Sequence, residues 1–296
     1  MGASEWTMLV VLSLLWGGTF FFVAVAVPEV PPLTLVLARV GLAAAVLGIY
    51  VHLIGEHLPG DLKTWLVFAA MGVGNSVVPF SLIFWSQTQI SSGLASILNA
   101  TTPLFAVVFS HWLSREERLT PARLGGSLIG LCGVGVLMGG AAMDGTGLAL
   151  LAQIASLAAA ATYAFMGFFI RRFATTSAPV TAAGQLLCAT LFMLPLSLLI
   201  DRPWTLPVPS TAALGSIVAL ALFSTALGYL LFFRILAAAG ATNILLVTFL
   251  IPVSASLLGV FVLGEVLEPR HVAGMALIAV GLAAIDGRIL TFIRGT

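Results

Sequence analysis

Long apolar stretches separated by short polar segments run through the whole chain. Gly, Pro and charged residues divide it into ten apolar spans: 7–27, 33–52, 62–85, 90–112, 121–140, 147–170, 179–199, 210–233, 241–263 and 269–286. A helix of about 20 apolar residues crosses the hydrocarbon core of a bilayer. The pattern therefore predicts an all-α integral membrane protein with ten transmembrane helices.

The second half of the chain repeats landmarks of the first half in the same order. The pairs, at offsets of 149 and then 148 residues, are Pro103 with Pro252, Glu116 with Glu265, Gly126 with Gly274 and Gly133 with Gly281. This predicts two five-helix repeats, residues 1–141 and 142–296, in one integrated membrane domain. Because five is odd, the second copy enters the membrane upside down, which gives an inverted repeat.

Charge distribution predicts the orientation and narrows the partners. With the N-terminus in the cytoplasm, nine of the twelve Lys and Arg residues lie inside, and Arg39, Arg202 and Arg270 lie outside. The positive-inside rule favours this arrangement, with both termini cytoplasmic. Residues are 60% hydrophobic and 8% charged, and the net charge is +1 without a basic tract. The expected partners are therefore lipid and a small molecule, with no nucleic acid.

The prolines expected to act as hinges are Pro79, Pro103 and Pro252, which lie in the interiors of apolar spans. Each lacks the N–H that the carbonyl four residues earlier needs, so the helix bends there. These carbonyls belong to polar residues, which are Asn75, Asn99 and Thr248.

The fourth symmetric position carries Ser224, paired with Asn75, and Gly228, which takes the place of Pro79. Polar groups at membrane depth must be paired within the protein or must face water. Two interpretations remain open. These residues line a central cavity, or they bond neighbouring helices while the prolines give static curvature.

Aromatic and basic residues inside the spans are further candidates. Phe80, Tyr163 and Tyr229 are placed to contact a substrate, or else to pack. Trp16, before two glycines, either packs against a close neighbour or lines the cavity. Arg39 lies about 10 Å into the second span. Its side chain is expected to extend outward to the membrane surface, the alternative being contact with an anionic group of the substrate.

Several kinds of chemistry lack support in the sequence. All carboxylates and histidines map to span ends or loops, whereas proton relays use such groups at mid-membrane. This favours transport without obligatory proton coupling. No Walker motif, HExxH or GxSxG occurs, so no enzyme activity is predicted. Cys132 and Cys188 lie in apolar spans and are expected to be small buried residues. We expect no metal and no cofactor.

The Trp16-Gly17 element and the doubled stretch from Pro103 to Gly133 resemble the EamA family of the drug/metabolite transporter superfamily. The resemblance covers nearly the whole chain. It implies a central cavity, alternating access, and export of amino acids or other small metabolites across the bacterial inner membrane. Aromatic and hydrophobic amino-acid exporters are the most similar members. By this resemblance the cavity includes Asn75, Asn99, Thr102 and Tyr163.

The rival functions are a passive channel for small solutes and an exporter of nucleosides or other small organic molecules. A saturable flux with substrate competition distinguishes a transporter from a channel. The glycines of the fifth and tenth spans are expected to form a scaffold or dimer contact. A homodimer is therefore conceivable, although a monomer suffices for transport.

Overall fold

The computed structural model describes residues 2–113, 121–138, 147–173, 175–239, 244 and 246–286. Over these ranges the secondary structure is helical. The membrane helices are α1 (Ala3–Ala26), α2 (Pro32–Leu53), α3 (Leu62–Ser86), α4 (92–113), α5 (Pro121–Met138), α6 (Leu148–Phe173), α7 (Ala178–Asp201), α8 (Thr211–Ala239), α9 (Val247–Leu263) and α10 (Pro269–Asp286).

The predicted all-helical membrane fold is confirmed. Among the described residues, seven helices are long and apolar enough to cross a membrane, and three shorter apolar helices lie in α5, α9 and α10. The expected start of the ninth span, residue 241, lies outside the described residues, and α9 is described from Val247. The expected repeat boundary at residues 141 and 142 lies outside the described residues, as does Glu116.

Two helices widen at equivalent points of the two repeats. Val73–Val77 in α3 and Leu220–Leu227 in α8 form π-helical segments, in which an N–H bonds the carbonyl five residues earlier. The α-helix resumes directly afterwards, just before Pro79 in α3 and at Gly228 in α8. Such π segments leave backbone groups poorly paired and are frequent at functional sites. They contain the predicted polar residues of these helices.

The other two hinge prolines behave differently from each other. α4 stops at Asn99 and restarts at Thr102, next to Pro103. The Thr102 hydroxyl donates to the Asn99 carbonyl over 2.7 Å and thereby satisfies a group that the break frees. In contrast, α9 continues through Pro252 without interruption. The bend expected at Pro103 thus coincides with a break in α4, whereas α9 stays helical through Pro252, where the bend remains a prediction.

Helix packing follows the symmetry of an inverted repeat. The equivalent helices α2 and α7 pack against each other, as do α5 and α10. The contact of α1 with α9 has its counterpart in that of α6 with α4, and the contact of α1 with α8 matches that of α6 with α3. Each repeat therefore packs mainly against the other, and the core lies between them.

Glycines let α5 and α10 approach closely. A Cβ added to Gly126 would lie 2.5 Å from the Gly281 carbonyl oxygen, and one added to Gly133 would lie 2.8 Å from that of Gly274. The predicted scaffold contact is thus made within one chain. Cys132 of α5, expected to be buried, is exposed because α5 packs chiefly on α10 and leaves its other face open. Cys188 is buried as expected.

Carboxylates at the helix ends cap helices of the opposite repeat. The capped N-termini belong to α8, α2 and α4, and the pairs are Glu29 with Ser210, Asp201 with Thr34, and Glu265 with Ser92 and Gly93. A carboxylate is stabilising at a helix N-terminus because free N–H groups and the helix dipole meet there. The Ser210 side chain and backbone N–H hold the pKa of Glu29 below its ordinary value. These caps join the two repeats.

Candidate functional site

Arg39 lies inside the bundle and not at the membrane surface. Its exposed fraction is 5%. Nε donates to the Thr225 hydroxyl over 2.9 Å, and the guanidinium carbon lies 3.8 Å from the centroid of the Phe80 ring. The expectation that this side chain extends outward is wrong. The Arg39 guanidinium contacts a hydroxyl and an aromatic ring inside the protein, and not the lipid headgroups.

The π segment of α8 explains the position of Thr225. The Thr225 hydroxyl donates to the Leu220 carbonyl, five residues earlier, over 2.8 Å. That hydrogen is thereby used, and an oxygen lone pair remains to accept from Arg39. The widened backbone and the buried arginine therefore share one hydroxyl.

In contrast to the charged Arg39 at the π segment of α8, the π segment of α3 carries a neutral polar group. Asn75 Nδ2 lies 3.4 Å from Gln185 Oε1 of α7, which is a long hydrogen bond. The close approach of α3 and α7 depends on Gly72, where a Cβ would lie 2.6 Å from the Gln185 carbonyl oxygen. The Tyr229 hydroxyl lies near the side chains of Gln185 and Ser76. Helices of both repeats thus meet here.

Two tyrosines lie near the charged side. Tyr163 and Tyr229 are both close to Arg39, and Tyr229 is also close to Gln185 on the neutral side. The Tyr163 ring packs edge-on against Phe80, with centroids 6.5 Å apart. We call the whole group the Arg39 cluster; its members are Arg39, Asn75, Ser76, Phe80, Tyr163, Gln185, Thr225 and Tyr229.

Other predicted residues pack beside this cluster. The Trp16 ring lies 5.5 Å from that of Phe232, and its Nε1 faces Gly228, where a Cβ would come within 2.7 Å. These are the contacts of a packed side chain. Ser224 is 1% exposed, and its hydroxyl has no hydrogen-bond partner among the described residues.

The remaining predicted residues lie along α4 and α9. Thr248 and Pro252 line a groove of about 230 Å³ together with Ala100, which follows Asn99 at the break in α4. The Asn99 side-chain oxygen is buried, and no hydrogen bond to it occurs within the described ranges. The predicted residues are therefore divided among the Arg39 cluster, the positions packed beside it, and α4 and α9, where Thr248 and Pro252 line the groove.

Three members of the cluster were missed in the sequence, and a fourth was misread. Ser76 and Thr225 are equivalent under the 149-residue offset and follow directly after the predicted pair Asn75 and Ser224. Gln185 is an amide inside an otherwise apolar span. Arg39 was recognised as basic and inside a span, but its direction depends on Thr225 and Phe80, which only the fold brings near.

The cluster provides a buried cation with one free edge. Arg39 Nη1 is buried and has no hydrogen-bond partner in the described part of the chain. No ion pair joins Arg39 to a carboxylate among those residues. An arginine inside the membrane region of a protein is energetically unfavourable and therefore indicates a functional site, at which a binding partner for the cation is expected. This arrangement is suited to holding a small anionic group.

Comparisons with known proteins agree with this architecture. The model of the EamA-like transporter family matches residues 4–139 and 150–285. An uncharacterized transporter of Archaeoglobus fulgidus is 27% identical over 94% of this chain and 97% of its own length. The uncharacterized inner membrane transporter YedA of Escherichia coli K12 is 29% identical over 88% and 83%.

Two further matches concern function and fold. A probable terminal-alkyne amino-acid exporter of Streptantibioticus cattleyicolor is 27% identical over 95% of this chain and 93% of its own. A solved crystal structure superposes with a TM-score of 0.67 at 23% identity, over 96% of this chain and 98% of that one. This likeness concerns the fold alone.

Proposed function

This chain belongs to the EamA-like transporter family, and we propose that it exports small metabolites, above all hydrophobic or aromatic amino acids, by alternating access through the Arg39 cluster. It is a multi-pass membrane protein with transporter relatives. The similar amino-acid exporter supports the substrate class. The proposal includes placement in the inner membrane, which the similar inner membrane transporter YedA supports, and cytoplasmic termini, which the charge distribution favours.

The observation behind this proposal is that both repeats contribute to the cluster, through the π segments of α3 and α8. Thr225 lies in the segment of α8, and Asn75 lies in that of α3. In transporters built from inverted repeats, substrate sites occur where the repeats meet and helices are discontinuous. A site made in this way changes its exposure when one repeat rocks against the other.

Aromatic walls and polar edges fit an amino acid with an apolar side chain. Phe80, Tyr163 and Tyr229 provide ring surface, while Arg39, Asn75 and Gln185 provide hydrogen-bonding groups. Transport sites combine mostly apolar walls with a few polar groups that fix orientation. The same walls suit other small aromatic molecules, which is why nucleosides belong in the test.

We propose that transport has no obligatory coupling to protons. Within the described residues, the hydrogen-bond and electrostatic partners of the cluster contain no carboxylate and no histidine. Proton-coupled transporters use such groups inside the membrane. We infer facilitated transport or exchange, with the direction set by the substrate gradient.

Counterflow in proteoliposomes tests the proposal. Vesicles loaded with unlabelled phenylalanine should accumulate labelled phenylalanine from outside, with a rate that saturates and is inhibited by leucine and tryptophan. A protonophore should leave this accumulation unchanged. A rate that rises linearly with concentration would indicate a channel, and exchange of nucleosides without exchange of amino acids would refute the substrate class.

A conservative pair of variants tests the location of the site. Tyr163→Phe removes one hydroxyl from the cluster and should raise the KM of counterflow by about fivefold, which corresponds to roughly one hydrogen bond. Tyr50→Phe removes a hydroxyl near the end of α2, outside the cluster, and should leave the KM unchanged. Equal KM values for both variants would place the transport site elsewhere.

A further inference from the structure

The surroundings of Arg39 use its guanidinium only in part. Nε is bonded to Thr225, and Phe80 covers one face of the planar group. Nη1 is buried without a hydrogen-bond partner in the described ranges, and the whole residue is 5% exposed. One edge of the guanidinium therefore remains unsatisfied inside the bundle.

Leaving this edge unpaired is unfavourable. A buried ionised donor without a partner costs more than a neutral one, because it loses its hydration and gains nothing in return. Phe80 compensates in part, since a cation over an aromatic face is attracted to it. The ring cannot accept a hydrogen bond in the guanidinium plane, so the need for an in-plane acceptor remains.

We propose that Arg39 binds the carboxylate of the transported molecule, so that the substrate class is carboxylates with an apolar or aromatic side chain. The inference rests on the proposed transport function and identifies the group that the site recognises. Arginine matches a carboxylate because its planar N–H groups meet the two oxygens in one plane. Thr225 and Phe80 hold that plane fixed before the ligand arrives.

The neighbouring groups determine the rest of the recognition. Tyr163 and Tyr229 lie near Arg39, and because a tyrosine hydroxyl is a hydrogen-bond donor, they can contribute to the binding of the same carboxylate. The Phe84 ring lies 5.7 Å from the guanidinium carbon, next to Phe80, and extends the apolar wall. A carboxylate at Arg39 thus places the apolar part of the ligand against aromatic rings.

Matched ligands test this inference by direct binding. The probes are 3-phenylpropionate and its amide, 3-phenylpropanamide, which differ only in the charged group. Each is added to the purified full-length protein in detergent, and the thermal unfolding midpoint is measured as a function of ligand concentration. The carboxylate should stabilise the wild type at concentrations at least tenfold lower than those of the amide.

Variants assign this discrimination to one residue. Arg39→Met should bind the two probes equally, and Arg39→Lys should retain part of the preference, because it keeps the charge but not the planar fork. Cys188→Ala, at the equivalent position of the other repeat, should behave like the wild type. If Arg39→Met does not yield a folded protein, Arg39→Lys and the wild type still decide the matter.

Two results would overturn the inference: equal stabilisation of the wild type by both probes, including none by either, or a full preference for the carboxylate in Arg39→Lys or Arg39→Met. A separate counterflow measurement distinguishes the two proposals. Carboxylate-selective binding without counterflow refutes the transport function alone. Counterflow of amino acids that is unaffected in Arg39→Met refutes the carboxylate site alone.

Discussion

Helices α2 and α7 are equivalent in the two repeats, yet they carry different chemistry at two matching positions. In α2 these positions hold Val36 and Arg39, and in α7 they hold Gln185 and Cys188. All four side chains are buried. Each helix therefore presents one polar and one apolar residue, but the polar residue differs in kind and lies one turn away in the other copy.

The π segments that face these helices show the same contrast. Arg39 bonds Thr225 in α8, while Gln185 bonds Asn75 in α3 over a longer distance, 3.4 Å against 2.9 Å. The π segments of α3 and α8 are thus alike in backbone, whereas one side of the cluster is cationic and the other neutral. The difference teaches that equivalent backbone features of the two repeats carry side chains of different charge.

The largest effect on substrate affinity should come from mutating Arg39, compared with mutating Cys188 at the equivalent position. Arg39→Met removes the cation and should lower the apparent affinity for a carboxylate in counterflow by about 10- to 100-fold, since charge-assisted hydrogen bonds are lost. Cys188→Ala should change it less than about twofold, because truncating a small side chain outside the site removes no ligand contact. Similar losses in both variants would mean that the repeats are functionally equivalent here.

The next effect should appear where the repeats are alike. Gly126→Ala and Gly281→Ala each force a Cβ against the carbonyl oxygen of the other residue, at 2.5 Å in both directions. Both should lower the free energy of unfolding by about 1–3 kcal/mol, as overpacking does. Thermal unfolding in detergent measures this.

The control for these glycine variants is Gly135→Ala. A Cβ at Gly135 meets nothing within 4 Å, so this variant should be neutral or slightly stabilising. If only one of Gly126 and Gly281 proved sensitive, the packing of α5 and α10 would be asymmetric and the structural comparison would fail.

A smaller effect on KM should distinguish the two equivalent hydroxyls of the π segments, those of Thr225 and Ser76. Thr225→Val keeps the shape but removes the acceptor of Arg39, which should raise the KM for carboxylates about fivefold, the value of roughly one hydrogen bond. Ser76→Ala removes a hydroxyl that bonds no arginine and should have less influence. A larger change for Ser76→Ala would reverse the assignment of the charged side.

The smallest effect belongs to the neutral side. Asn75→Ala breaks a long hydrogen bond to Gln185 and should raise the KM by about twofold, equally for carboxylates and their amides. Competition of both ligands against labelled phenylalanine measures this ratio. A selective loss for the carboxylate would show that the neutral side also reads the charge.

Sequence patterns predicted the fold well because the bilayer imposes them directly. The length of each span is visible as a run of apolar residues. The two repeats are visible as recurring prolines and as five spans in each half. Four of the predicted site residues, Asn75, Phe80, Tyr163 and Tyr229, belong to the candidate cluster, and their role in transport stays a prediction. Gln185 and the direction of Arg39 depend on which helices face each other, and α9 continues through Pro252 although the equivalent proline accompanies a break.

The central claim is that the cluster between the repeats binds the transported molecule through Arg39. Determining the structure of the protein with bound 3-phenylpropionate tests it most directly. We expect a carboxylate oxygen at about 2.7–2.9 Å from Arg39 Nη1, with the phenyl ring against the aromatic wall at Phe80 and Phe84. A ligand bound elsewhere, or a carboxylate of the chain itself paired with Arg39, would contradict it.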